Sequence, residues 1–227
     1  MNTIHIKSIL LGILIILSSP SYSQKDGLSF LALGDSYTVG TSEIYKHCWP
    51  VQLKEKLAKK NVFLNEPQII AGAGWTTKKL LEQLNVEELS QSYDLVSLLI
   101  GVNNQYRNQN INDFQKDFSV LLDMSISLAQ NDASKVFVLS IPDWSVTPFS
   151  KFKNQKKIAT EIRAYNSIIE KEAAKRQVLF IDITKSSKEA LFDNSLIAKD
   201  SLHPSRKMYK VWAKKISKKL DKRLETP

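Results

Sequence analysis

Five short apolar runs, each closed by a glycine-bearing or polar turn, alternate with helical stretches along this chain. That alternation limits its fold more than anything else in it. The runs lie at 29–33, 68–71, 93–100, 135–141 and 178–183. Between them, 49–60 places Trp49, Val51, Leu53 and Leu57 on one helical face, with Pro50 in the first turn. A stretch after 72–77 reads as helix to about 89. Segment 111–130 is helical by Phe114, Phe118, Leu121, Leu122 and Ile126, and 155–176 is helical as well. A last helix is expected over 204–224, with Pro204 in its first turn. Strands and helices in this order imply right-handed βαβ units, one parallel sheet and helices on both of its faces. Ligands of such sheets bind outside the carboxyl ends of the strands.

The first 23 residues are read separately. Lys7, an apolar core at 9–17 and Ser21-Tyr22-Ser23 before Gln24 have the form of a secretory signal peptide cleaved near Ser23/Gln24. The expected protein is therefore secreted or periplasmic, with one domain over 24–227. No later run approaches the length of a membrane span. Seven glycines occur in 227 residues, one of them in the leader. Of the other six, Gly34, Gly40, Gly72, Gly74 and Gly101 fall just after the first three strands, where backbone must turn tightly or approach a ligand.

Cys48 is the sole cysteine, so no intramolecular disulfide forms, and its neighbour His47 is poorly placed to activate it as a nucleophile. The formal charge is +9, and nine basic residues lie between Arg206 and Arg223 around Met208, Tyr209, Trp212, Ile216 and Leu220. The plainer reading is an amphipathic terminal helix with a solvated lysine face. The functional one is peripheral contact with anionic surfaces. Nucleic acid is not an expected partner, because no binding motif accompanies the charge.

In 31–40, an apolar strand runs into Gly34-Asp35-Ser36-Tyr37. A serine at such a turn is either a nucleophile held at the sheet's open end or part of a helix cap. Deciding between these needs a base, and two histidines lie outside the leader. His47 reads as a rim residue. His203, in Asp200-Ser201-Leu202-His203, has a carboxylate three residues before it that a tight turn can bring to the imidazole. Donors for an oxyanion are available from the Ser36 and Gly74 N–H groups and the Asn103 amide, each at the end of a different strand.

Gly34-Asp35-Ser36-Tyr37, Gly74, Gly101-Val102-Asn103-Asn104 and Asp200-Ser201-Leu202-His203 together resemble the four sequence blocks of the SGNH hydrolases, the GDSL esterases and lipases, in the family's order. The resemblance implies a three-layer α/β/α, flavodoxin-like fold with a five-stranded parallel sheet in the order 2-1-3-4-5. It implies Ser36 as nucleophile, His203 as base, Asp200 as its partner, and Ser36, Gly74 and Asn103 as oxyanion hole, with no metal or cofactor. Two departures stand out. Asn104 replaces the usual aspartate of the third block, which implies altered loop hydrogen bonding. Trp75 follows Gly74, where it either narrows the acyl site or packs under the next helix. Asp143 and Trp144 are further rim candidates. The expected function is hydrolysis of small or lipid-like carboxylic esters. Deacetylation of extracellular glycans is the alternative within that chemistry, and a non-catalytic binding module is the alternative outside it.

Overall fold

The computed structural model describes residues 27–224 apart from 88, 90 and 91, with side chains to 220. The expected leader lies outside the described residues. In chain order the elements are β1 (Phe30–Asp35), α1 (Ser36–Val39), α2 (Trp49–Ala58), β2 (Gln68–Gly72), α3 (Thr77–Leu84), β3 (Leu95–Leu99) and α4 (Val102–Tyr106). They continue with α5 (Ile111–Leu128), β4 (Val136–Leu139), α6 (Gln155–Lys175), β5 (Leu179–Ile181), α7 (Thr184–Ser187) and α8 (Arg206–Leu224). All five strands pair in parallel in the order β2-β1-β3-β4-β5. Every residue of the three inner strands is buried, whereas the edge strands β2 and β5 are partly open. This is why the inner strands read as unbroken apolar runs rather than alternating ones.

Helices α2 and α8 pack together, and α3, α5 and α6 form a second packed set against the strands. Trp49 of α2 reaches the sheet through Phe30 and Phe137, its ring centroid about 6.2 Å from each. The apolar stripe of α8 is buried in full: Met208, Tyr209, Trp212, Ile216 and Leu220 are all in the core. Helix starts carry local signals, with Thr76, Asn110 and Asn154 each accepting a backbone N–H in the first turn of its helix.

Three local expectations change. Helix α3 ends at Leu84 rather than near 89, since Val86 points into solvent and there is no apolar face to continue. Pro204 precedes α8 instead of opening it, because residues 196–198 fold back on 203–205 across a tight turn: Pro204 bridges Ile197, Ala198 N–H donates to the His203 carbonyl at 2.7 Å, and Ser205 N–H to the Leu196 carbonyl at 2.9 Å. Two short helices, α1 and α4, follow β1 and β3 directly. The chain crosses from one side of β1 to the other between β2 and β3, so these helices flank the switch point of the sheet, where α/β folds bind their ligands.

Candidate active site

Ser36 is the first residue of α1, delivered there by β1. The cap before it is Asp35, whose Oδ1 accepts the Tyr37 N–H at 3.0 Å. Capping and presentation of the serine are thus divided between neighbours. The other carboxylate oxygen, Oδ2, is buried without a hydrogen-bond partner. Desolvation therefore dominates over the backbone bonds, and the Asp35 carboxyl is pushed from the ordinary 3.8 up to about 7.

Across from it, Ser36 Oγ lies 2.9 Å from His203 Nε2, and His203 Nδ1 lies 2.6 Å from Asp200 Oδ2. Residues 167 apart in sequence meet because the tight turn before α8 brings His203 to the end of β1. Asp200 is itself held from three sides: the N–H groups of Leu202 and His203 donate to Oδ1, each at 2.9 Å, and the Ser42 hydroxyl donates to Oδ2. Partial burial alone would raise the Asp200 carboxyl. The bonds from Ser42, Leu202, His203 N–H and the imidazole outweigh it and hold the group at about 2. At neutral pH Asp200 is a carboxylate, so the imidazole nitrogen facing it, Nδ1, carries the proton and Nε2 is free to accept one from Ser36. The Tyr37 ring supports the imidazole with centroids 5.5 Å apart.

A pocket of about 210 Å³ opens beside Ser36 and His203, and Gly74 and Asn103 both line it. Gly74 occupies the third position of a turn closed by Trp75 N–H on the Gly72 carbonyl, with φ of 78°, a conformation that favours glycine. Gly101 has φ of 125° where β3 turns into α4, and a side chain there would strike Phe114 and Ile141. Asn103 Nδ2 donates to the Trp75 carbonyl at 2.9 Å, which ties the end of β3 to the turn after β2. Ser36, Gly74 and Asn103 thus reach one pocket from three strands.

The Asn104 departure has a structural explanation. Its Oδ1 accepts the Thr77 N–H at 3.1 Å while its Nδ2 donates to Thr77 Oγ1 at 2.8 Å and Gln109 Oε1 at 2.9 Å. A carboxylate could supply the first bond but neither donation. Trp75 packs over Gly72, leaving its carbonyl rather than its ring at the site. Trp144 does line the pocket, with Nε1 donating to Gln105 Oε1 at 2.8 Å. Asp143 does not: it caps the following turn through Ser145 N–H and pairs with Lys188 at 3.4 Å. His47 is also remote, bound through Nδ1 to Glu43 at 2.8 Å. Cys48 is fully buried, and burial pushes its thiol up, which keeps it protonated.

The sequence model of the GDSL-like Lipase/Acylhydrolase family matches residues 32–211, from β1 into α8 and across every block described above. The chain belongs to this family. It is a carboxylic ester hydrolase of the GDSL type. Solved structures share its fold. A lipase/acylhydrolase from Enterococcus faecalis aligns with a TM-score of 0.67 at 21% identity, covering 86% of this chain and 97% of that one. The psychrotrophic esterase EstA from Pseudoalteromonas sp. aligns at 0.65 and 16% identity over 87% and 99%. Axe2, an acetylxylan esterase from Geobacillus stearothermophilus, aligns at 0.66 and 16% over 86% and 94%. No curated protein sequence is significantly similar to the chain.

Apart from Trp144, several features of this GDSL pocket carry no sequence signal of their own. Tyr106, Trp144 and Phe149 form an aromatic wall, with ring centroids 5.5 to 6.3 Å apart. Phe149 N–H donates to the Ser201 carbonyl at 3.0 Å, fastening that wall to the histidine segment. Arg107 donates through Nη2 to the Gly74 carbonyl at 2.7 Å and so braces the Gly74 turn from outside. Ser42, with φ of 69°, reaches Asp200 across 158 residues of sequence. Only the neighbouring Gly40 hinted that this loop turns sharply.

Proposed function

We propose that this GDSL hydrolase cleaves short-chain carboxylic esters through an acyl-enzyme on Ser36. The observation that carries the reading is the unbroken relay from Ser36 Oγ to His203 Nε2 at 2.9 Å and from His203 Nδ1 to Asp200 Oδ2 at 2.6 Å. His203 takes the hydroxyl proton as Oγ bonds to the carbonyl carbon, and the imidazolium then protonates the departing alcohol oxygen as its bond to carbon breaks. Asp200 fixes the tautomer and stabilises the imidazolium. Water repeats the sequence on the acyl-enzyme, releasing the acid and restoring Ser36. The Ser36 and Gly74 N–H groups and the Asn103 amide are the proposed donors to the oxyanion.

The small size of the pocket beside Ser36, about 210 Å³, and its chiefly apolar lining support short acyl groups. The aromatic wall favours one further reading, a glycan O-deacetylase. Tyr106 and Phe149 stay 46% and 39% exposed at the pocket, offering faces on which a sugar ring can stack. The acetylxylan esterases among the similar structures share the fold. The reading includes export, supported by the leader pattern in 1–23 and testable by sequencing the N-terminus of the mature protein.

The deciding experiment treats the wild type and Ser36→Ala with a phosphonate ester probe, then measures hydrolysis of p-nitrophenyl esters of increasing chain length beside acetate release from acetylated xylan. Labelling confined to Ser36, with Ser36→Ala folded and inactive, supports the mechanism. Labelling elsewhere, or an active Ser36→Ala, refutes it. Rates that fall steeply beyond short acyl chains support the size argument, and efficient acetate release from the glycan selects the deacetylase reading.

A further inference from the structure

A second cleft, of about 270 Å³, opens between the turn at residues 45–47, α2 and the beginning of α8, away from the esterase pocket. Five cations surround it: Lys46 from the turn, Lys56 and Lys59 from α2, and Arg206 and Lys210 from α8. Among the described residues none of the five forms an ion pair. Glu55 lies on the lining and Glu43 closes one side, so five positive charges less two leave an excess of three. The chain does pair exposed lysines with acids elsewhere, as in Lys54 with Glu66 and Lys207 with Asp193. Like charges gathered unpaired in one concavity repel each other, and the concavity focuses their field toward an anion.

The floor of this cleft is rigid. Gln52 is buried, and its Nε2 donates to the carbonyls of His47 at 2.6 Å and Arg206 at 3.1 Å. Glu43 closes the other side, accepting the Arg206 N–H at 2.8 Å through Oε1 and meeting His47 Nδ1 at 2.8 Å through Oε2. Arg206 is therefore clamped at both its N–H and its carbonyl, and the first N–H of α8 is already taken. An arriving anion is met by the five side chains, held apart by a fixed base, rather than by the helix end.

We propose that this cleft binds phosphate groups carrying two or more negative charges. The charge decides the class: a single carboxylate would offset only one of three excess charges, whereas a pyrophosphate or clustered phosphodiesters match them within the available volume. Arg206 follows His203 by three residues, so the docked anion lies next to the segment that supplies the base. Binding by exposed cations is screened by salt and weakens as ionic strength rises.

The test uses the full chain and leaves ester hydrolysis out of the readout, so it stands apart from the acyl-transfer proposal. Titration calorimetry at low salt measures binding of sodium pyrophosphate. Sedimentation with phosphatidylglycerol/phosphatidylcholine vesicles, against phosphatidylcholine alone, measures binding to lipid headgroups. The cleft variant Lys56→Gln/Lys59→Gln/Lys210→Gln is compared with Lys78→Gln/Lys116→Gln/Lys171→Gln, which removes the same charge from α3, α5 and α6. The cleft variant is expected to weaken pyrophosphate binding roughly 10-fold, as loss of three exposed charge contacts implies, while the control variant retains it. Vesicle binding with the same variant dependence identifies lipid headgroups as the source, and pyrophosphate binding without vesicle binding identifies a soluble or polymeric phosphate. Arg206→Gln, checked with the others by circular dichroism, repeats the measurement if the triple variant does not fold. The proposal is overturned if the wild type binds neither probe, or if the control variant loses as much affinity as the cleft variant.

Discussion

Asp35→Asn should make the protein's stability less sensitive to pH, and the burial of the carboxyl gives the sign of the effect. The substitution keeps the shape of the side chain and the oxygen that accepts the Tyr37 N–H. It removes a carboxyl whose second oxygen is buried without a partner. In the folded protein that carboxyl ionises near 7, against 3.8 ordinarily. Between these values the folded chain keeps a proton that the unfolded chain has released. Stability contributed by this group therefore falls as pH rises through the window and levels off above about 7. At about 1.4 kcal/mol per pH unit the whole window amounts to at most ~4 kcal/mol, of which about 3 kcal/mol lies between pH 5 and 8. Urea unfolding of both proteins across that range, followed by tryptophan fluorescence, reads it directly. Asp35→Asn should gain on the wild type with increasing pH up to about 7. A difference that stays constant from pH 5 to 8 would refute the reasoning, since Asp35 would then ionise like an exposed carboxylate.

Asn103→Ala should lower kcat by about 10²-fold or more with a smaller change in KM, because the amide is proposed to act on the oxyanion that forms after binding; an unchanged kcat removes it from that role. Asp200→Asn should cost most of the rate by favouring the wrong imidazole tautomer, and Ser42→Ala should lower kcat by a smaller factor while raising the Asp200 carboxyl, detectable as an altered acid limb of the pH–rate profile. His47→Ala should leave ester hydrolysis near wild type, as its ring faces Glu43 rather than Ser36, and an inactive variant would overturn the choice of His203. Asn104→Asp should lower stability by about 1–3 kcal/mol in thermal or urea unfolding, since it replaces donations to Thr77 and Gln109 with carboxylate oxygens aimed at acceptors.

Order along the chain determined the architecture. Buried parallel strands are continuous apolar runs and their covering helices carry apolar stripes, so β1, β3, β4 and α8 were legible to within a few residues at their ends, and the resemblance to the family's four blocks implied the strand order. The same local logic made Ser36, Gly74 and Asn103 candidates, because turns at strand ends need glycine and small polar residues whatever lies across from them, while the roles of these residues and of His203 came from the family resemblance. Packing decided the rest. Whether Asp200 is held by Ser42, whether Asn104 ties α4 to the start of α3, and whether Trp75 or Trp144 forms the pocket wall depend on which side chains meet across 27 to 158 residues of sequence. A hydroxyl or an indole looks the same in the sequence whether or not it has a partner. Burial is equally invisible there: Asp35 and Asp200 are aspartates beside Ser36 and His203, yet one is fully buried with only its Oδ1 bonded and is pushed up, while the other gathers four donors and is held down. Desolvation and hydrogen bonding act over a few ångströms in space, and only the folded chain sets those distances.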